Sequence, residues 1–128
     1  MATPTRLEDD PLTRRIIGAA IEVHKVIGPG LLESIYEQAL CYELELHRIA
    51  YQRQLRIDVV YKGRILKGQR IDLIVEREVI LELKSVSRIH DVVLAQVLSY
   101  LNATGLKRAL ILNFGDKRLV DGIKRVSN

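Results

Sequence analysis

The sequence predicts an α/β or α+β fold in which helices flank a mixed central sheet. Apolar residues recur at spacings of three and four in the first part of the chain and again near residue 95, which is typical of helices. Between these parts, three short segments alternate apolar and polar residues, which is typical of strands. A fully apolar segment near residue 110 completes the element order ααβββαβ.

Two helices are predicted at the start of the chain. The first covers Pro11–Ile27, and the Gly-Pro-Gly sequence at 28–30 ends it. The second runs from about residue 31 to 47 and carries an apolar stripe. Leu40 and Leu44 add apolar surface beside it, so we expect this helix to be covered on more than one side. The members of this stripe are Leu32, Ile35, Ala39, Tyr42 and Leu46.

Three strands follow, close enough in sequence to pair as an antiparallel meander. They are predicted at 55–61, 70–75 and 79–84, with a tight Lys-Gly-Arg turn at 62–64. Alternation predicts that the first is half-buried, and that Ile71 and Leu73 share the face opposite Asp72.

The remaining elements are a helix and a buried strand. The helix is predicted from about residue 91 to 103, with Gly105 ending it and an apolar face at Leu94, Val97, Leu98 and Leu101. The apolar segment 106–114 is expected to pair in parallel within the sheet. Residues 116–128 are expected to add a short strand or helix.

Length and composition indicate one domain over residues 1–128, with residues 1–10 as a flexible lead-in. The net charge of +4 and the pI of about 9.4 permit a nucleic-acid partner without requiring one. One cysteine excludes a disulfide framework and a multi-cysteine zinc site. No apolar segment approaches the roughly 20 residues of a membrane span, so we expect a cytoplasmic protein without a membrane partner.

Two acidic residues and a lysine on neighbouring strands form the first candidate site. Glu82 and Lys84 lie two residues apart and share a face, and the turn between the strands brings Asp72 within reach of Glu82. Two neighbouring carboxylates repel each other unless a charge neutralises them, and Mg²⁺ is the usual solution. The alternative is a solvent-facing Glu82–Lys84 pair, with Asp72 bound to a nearby arginine.

The segment GLLESIY at 30–36 is one of several motifs that are specific when taken together. The others are YKG at 61–63, Asp72, ELK at 82–84, Gln96 with Tyr100, and LNF at 112–114. From about residue 16 to 114 the chain resembles the GxxExxY proteins, a bacterial family assigned to the PD-(D/E)XK nuclease superfamily. The resemblance implies a restriction-endonuclease-like core of order αβββαβ, to which this chain adds one helix in front.

The same resemblance implies roles for the acidic residues and the lysine. Asp72 and Glu82 correspond to the two metal-binding carboxylates, and Lys84 corresponds to the catalytic lysine. Glu33 corresponds to an acidic residue that many members supply from the helix before the sheet, where it completes the metal or water network. A carboxylate in the first turn of a helix is also favoured by the helix dipole alone, so this second interpretation of Glu33 stays open.

Gln96 and Tyr100 resemble the QxxxY motif of exonuclease-like members, which lies beside the active site and helps to position nucleic acid. Their spacing of four residues puts both on one helical face. Val93 stands where the family often has a polar residue, and Ile71 stands where the motif has proline. These departures leave the metal-binding residues intact and put catalytic efficiency or substrate choice in question.

Basic residues are concentrated just before Asp72. Between residues 52 and 70 they outnumber acids six to one, which fits a phosphate-rich partner or, alternatively, a solvated strand face. We assign nucleic-acid binding to Arg53, Arg56, Arg64 and Arg70.

Two functions follow from these observations. The first is a Mg²⁺- or Mn²⁺-dependent nuclease that hydrolyses phosphodiester bonds, with DNA favoured as the substrate. The alternative is a binding module for nucleic acid or protein on a nuclease-like fold, with little or no catalysis. Either function is compatible with a homodimer or a larger complex, and the sequence does not distinguish endonuclease from exonuclease.

Overall fold

The computed structural model describes residues 10–128, so most of the predicted lead-in lies outside the described residues. The observed order contains the predicted ααβββαβ and continues with a short 3₁₀ helix and a fifth strand. The elements are α1 Pro11–Ile27, α2 Glu33–Leu46, β1 Tyr51–Tyr61, β2 Arg64–Val75, β3 Val79–Lys84, α3 Asp91–Thr104, β4 Arg108–Asn113, the 3₁₀ helix Leu119–Gly122 and β5 Ile123–Ser127.

The five strands form one mixed sheet in the order β1-β2-β3-β4-β5. Strands β1, β2 and β3 make the predicted antiparallel meander, β4 is parallel to β3 as predicted, and β5 is antiparallel to β4. Helices α1 and α2 pack on one face of the sheet and α3 packs on the other, so that two cores sandwich β3 and β4. Among the described helices, none combines the length and hydropathy needed to cross a membrane.

Helix α1 has the predicted bounds because its two ends carry strong signals. Asp10 caps the first turn by accepting a 2.8 Å hydrogen bond from the backbone N–H of Thr13, and Pro11 follows directly. Gly28, with φ 70°, lets the chain leave the helix.

Helix α2 is rotated relative to the prediction. The expected stripe is wrong: Leu32, Ile35, Tyr42 and Leu46 are exposed, and Leu32 keeps 75% of its accessible surface. The helix instead buries its Tyr36 side, where the aromatic ring stacks on Phe114 with centroids 4.4 Å apart. The residues on this buried side are Tyr36, Glu37, Leu40, Cys41 and Leu44. Because α2 carries two apolar stripes, periodicity alone did not distinguish them, and the aromatic stack decides which one packs.

Helix α3 has the predicted extent, and Gly105 ends it in a left-handed conformation. Its buried face differs from the prediction, because Val93 and Tyr100 are buried with Val97 and Leu101, whereas Leu98 is exposed.

The β1–β2 hairpin is longer than predicted and its outer half is not half-buried as expected. It turns through Lys62 and Gly63, both with positive φ, the pattern of a type I′ turn. Only Leu73, Ile74 and Val75 of β2 pair with β3, so the hairpin extends well past the rest of the sheet.

Side-chain alternation breaks near the base of this hairpin. Leu73 packs in the core beneath α1 and α2, whereas Ile71, two residues away, packs beneath α3. The prediction that Ile71 and Leu73 share a face is therefore wrong. Gln54 has a φ of 52°, and it stands opposite Asp72 between the pairs Arg53–Leu73 and Leu55–Ile71. At the level of Asp72, the side chains of both strands therefore change to the opposite faces of the hairpin.

Tyr36 holds the loop before α2 as well as the core below it. Its hydroxyl donates a 2.5 Å hydrogen bond to the Gly28 carbonyl and accepts one of 3.1 Å from the Leu31 N–H. The loop that leads to Glu33 is therefore tied to the core by one side chain.

Replacing Tyr36 by Phe tests this tie, because the ring stack stays and only the hydroxyl is lost. We expect the free energy of unfolding, measured in urea, to fall by about 1–3 kcal/mol, the cost of leaving buried polar groups unpaired. The exposed Tyr42 supplies the matched control, and Tyr42→Phe should leave stability unchanged. Equal effects of the two substitutions would contradict the assignment.

Candidate functional site

The site begins where strand β2 separates from strand β3. The last ladder pair is Leu73 with Leu81, and the next outward-facing N–H of β3 belongs to Leu83. The Asp72 carboxylate accepts this N–H at 2.8 Å, in place of a backbone carbonyl of β2. The side chain of Asp72 therefore closes the ladder at the point where the strands diverge.

Glu33 makes the equivalent contact one step further along the chain. Its carboxylate accepts the N–H of Ser85 at 3.2 Å, and the Ser85 hydroxyl donates to the Leu31 carbonyl at 2.6 Å. Asp72 and Glu33 thus accept hydrogen bonds from the N–H groups of Leu83 and Ser85, which lie two residues apart on the same edge of the chain. The structure brings these two sequence-predicted residues to the same place.

Glu82 and Lys84 complete the acidic centre. The Nζ of Lys84 lies 3.4 Å from Oε2 of Glu82, and Glu82 is only 5% exposed. Among the described residues, no hydrogen-bond partner satisfies Oε1 of Glu82. Burial, together with the charge of Asp72, raises the pKa of Glu82 to about 7.

Further acidic residues reinforce this concentration of negative charge. Burial raises the pKa of Asp72, and the charges of Glu37 and Glu33 raise it further, against the opposing effects of the Leu83 N–H and Lys84. Glu37 was missed by the sequence analysis. The signal was present, since Glu37 follows Glu33 by four residues and lies on the same helical face.

Glu37 also binds Arg53 of strand β1. The guanidinium of Arg53 donates twice to Oε2 of Glu37, at 2.8 and 3.1 Å, and the amide of Gln54 donates to Oε1 at 2.8 Å. Arg53 was assigned to nucleic-acid binding; the structure shows its contact with a carboxylate of α2, and the assignment stays a prediction. Its contact fixes the base of the hairpin against that helix.

Tyr100 and Gln96 lie beside the carboxylates on the α3 side. Burial, followed by the charges of Glu82 and Asp72, raises the pKa of Tyr100 to about 12. The Tyr100 hydroxyl donates to the side-chain oxygen of Gln69 at 3.2 Å, and Gln96 is within hydrogen-bonding reach of the same hydroxyl. Nothing in the sequence pattern pointed to Gln69.

The remaining assigned arginines lie on the hairpin. Arg56 and Arg70 stand directly opposite each other across the β1–β2 ladder and line a cleft of about 290 Å³. Like charges in this position are destabilising. Arg64 lies at the turn, next to Tyr61. None of these three arginines has an acidic partner within residues 10–128.

The residues present fit a divalent cation. The described part of the chain holds no cluster of three or more ligating His, Cys, Asp or Glu side chains. Mg²⁺, however, is commonly held by one or two carboxylates with water and substrate phosphate completing its coordination. Asp72 and the unsatisfied oxygen of Glu82 supply that donor set.

Replacing Glu82 by Gln tests the electrostatics in the absence of metal. Because the pKa of Glu82 is raised, the unfolded chain loses its proton near pH 4.5 while the folded protein keeps it up to about pH 7. Stability should therefore fall as pH rises across this window and stay low above it. Glu82→Gln should remove this fall and be more stable above pH 7 by roughly 1–3 kcal/mol.

Urea unfolding at a series of pH values measures the effect, with Glu22→Gln on the exposed side of α1 as the control. If the stability of the wild type and of Glu82→Gln changes with pH in parallel, Glu82 is not the group whose ionisation lowers the stability.

The family of the chain is shown by comparison with known proteins. No curated protein and no solved structure matches it. A family model described as PD-(D/E)XK nuclease superfamily matches residues 10–126, which include every described element from α1 to most of β5. Proteins of this superfamily generally use divalent metals, and the mixed α+β architecture is that of the restriction-endonuclease-like fold. The chain therefore belongs to the PD-(D/E)XK nuclease superfamily.

Proposed function

We propose that this protein is a Mg²⁺-dependent nuclease of the GxxExxY kind that hydrolyses phosphodiester bonds, with DNA as the first substrate to test. The observation that carries the proposal is the Glu82 carboxylate, which is buried next to Asp72 with one oxygen unsatisfied. A buried carboxylate in this state must take up a proton or a cation, and above its pKa of about 7 a cation is needed. Lys84 contacts the other oxygen, which leaves the free one for a metal.

Asp72 and Glu82 would hold the metal, with Glu33 at the edge of the same centre. When bound, Mg²⁺ supplies a Lewis acid that polarises a phosphate oxygen and acidifies water. In the reaction, a water oxygen attacks phosphorus, one P–O ester bond breaks, and the leaving alkoxide takes up a proton.

Lys84 is the residue placed to act on the reacting atoms. Its ammonium sits at the rim of the carboxylate pair, where it can donate to a phosphate oxygen or orient a water molecule. Gln96 and Tyr100 of α3 would position the substrate, since Tyr100 lies close to the carboxylates and Gln96 lies close to its hydroxyl.

The basic residues of the hairpin supply the contact with the backbone of the substrate. Arg56, Arg64 and Arg70 are without acidic partners in the described chain, so their charge is available to phosphates. Arg53 acts differently, because its guanidinium is used by Glu37. It is a positioning residue that holds the hairpin base beside Asp72.

Lys84→Met separates an active nuclease from a module that only binds. The substitution keeps the length of the side chain but removes its charge and its donors. We expect turnover on labelled single- and double-stranded DNA and RNA, with Mg²⁺ or Mn²⁺, to fall by roughly a hundredfold or more. Lys107→Met, at an exposed position before β4, is the matched control. The binding module is supported if the wild type shows no cleavage, or if its cleavage is not lost in Lys84→Met.

Asp72→Asn tests metal binding more sharply than Asp72→Ala, which would leave the Leu83 N–H unpaired. Asparagine keeps an acceptor for that N–H and removes one charge. We expect Mg²⁺ binding, measured by titration calorimetry, to weaken at least about tenfold, a loss of about 1.4 kcal/mol. Cleavage should be abolished while the unfolding midpoint in urea stays near that of the wild type. Unchanged Mg²⁺ affinity would exclude Asp72 as a ligand.

A further inference from the structure

The outer half of the β1–β2 hairpin, residues 57–69, forms what we call the hairpin arm. Beyond Asp72, strands β1 and β2 pair with each other and with no other described strand. At about 3.3 Å per residue, the arm carries its turn roughly 25 Å from Asp72. A two-stranded ribbon of this kind has marginal stability alone, so its side chains need an explanation beyond folding.

Bulky apolar side chains cover both faces of the hairpin arm and remain exposed. The cross-strand pairs are Val59 with Leu66 and Val60 with Ile65, and Tyr61 stands opposite Arg64. Val60 keeps 67% of its accessible surface and Tyr61 keeps 58%. A contiguous exposed apolar patch on an extended element marks a contact surface for a partner.

The charge of the hairpin arm selects the kind of partner. Lys62, Arg64 and Lys67 belong to the arm, and Asp58 is its single acidic residue. Arg56 and Arg70 extend the positive charge to its base. A second copy of the same arm would meet this surface with like charge, whereas the phosphates of a nucleic acid would neutralise it.

One face of the hairpin arm is continuous with the carboxylate site. Ile57, Val59 and Tyr61 alternate along β1 and share a face, because the extra residue at the register shift between Ile57 and Val59 lies on β2. Ile57 pairs with Gln69, and the side-chain oxygen of Gln69 accepts a hydrogen bond from the Tyr100 hydroxyl. Tyr100 in turn lies close enough to Glu82 and Asp72 to interact with their charges. A ligand seated at the carboxylates therefore meets this strip of side chains on its way to the turn.

We propose that the hairpin arm enters a groove of a nucleic-acid duplex bound at the carboxylate site. Tyr61 and Leu66, which share one face of the arm, contact the bases, and the basic residues contact the phosphates on either side. A two-stranded ribbon fits the major groove, and apolar side chains at the tip of such a ribbon can wedge between base steps. The inference rests on the proposed nuclease function and assigns it a double-stranded substrate.

The test uses the full chain in EDTA, so that binding is measured without cleavage. Fluorescence anisotropy follows an end-labelled DNA duplex, its RNA counterpart, and the single strand of each. For the double variant Tyr61→Ala with Leu66→Ala, we expect duplex affinity to fall by about tenfold or more, the scale of losing one base–side-chain contact. The matched control is Tyr42→Ala with Leu46→Ala, which removes comparably exposed side chains from α2 and should change affinity less than about twofold.

Several outcomes would overturn the proposal. One is equal loss in the arm variant and the α2 control, and another is equal loss for single strands and duplexes. A wild-type dimer that the arm variant converts to monomer in sedimentation would assign the arm to self-association. If circular dichroism shows that the arm variant is misfolded, the wild type is tested alone on duplexes that carry 2-aminopurine at successive positions. The fluorescence of 2-aminopurine should rise at a position where the protein unstacks the base. Unchanged fluorescence at every position contradicts base contact.

The design also separates this inference from the proposed function. Arm-dependent duplex binding without any Mg²⁺-dependent cleavage would support the hairpin arm and overturn the nuclease. Cleavage with arm-independent binding would do the reverse.

Discussion

The hydrogen bond from the Leu83 N–H to Asp72 is the contact on which the site depends. It lies where β2 leaves β3, and a carboxylate there completes the backbone ladder that the departing strand no longer supplies. A buried N–H must be paired, so this position selects an acceptor side chain for structural reasons alone. The same carboxylate is thereby fixed beside Glu82, whose Oε1 has no hydrogen-bond partner among the described residues. One oxygen of Asp72 therefore serves the backbone, and the proposed metal would use the other.

Much of the fold could be predicted from the sequence because its signals are local. The bounds of α1 follow from Asp10, Pro11 and Gly28, and β3 lies where alternation placed it. The buried faces of α2 and α3 could not be predicted. Each of these helices has more apolar residues than it needs, and the choice between faces depends on partners distant in sequence, such as Phe114 for Tyr36.

The candidate site divides in the same way. The arrangement of Asp72, Glu82 and Lys84 follows from the spacing of two neighbouring strands, and their roles remain proposals. Glu37 and Gln69 could not be found as reliably, because they reach the site from a helix and from a hairpin whose length the pattern underestimated. Counting charge did not predict the contact of Arg53 with Glu37, because that carboxylate lies on the neighbouring helix, sixteen residues away in sequence.

The reversal of faces at Gln54 and Asp72 has a consequence for how this protein can diverge. Below that level the hairpin belongs to the sheet, and above it the side chains are turned to the opposite faces. Removing one residue from each strand of the outer half would exchange its two faces while preserving the pairing, because the side-chain period is two. Removing two from each strand would shorten the reach and keep the faces. A change of two residues per strand therefore alters how far the arm reaches and leaves the carboxylates below undisturbed.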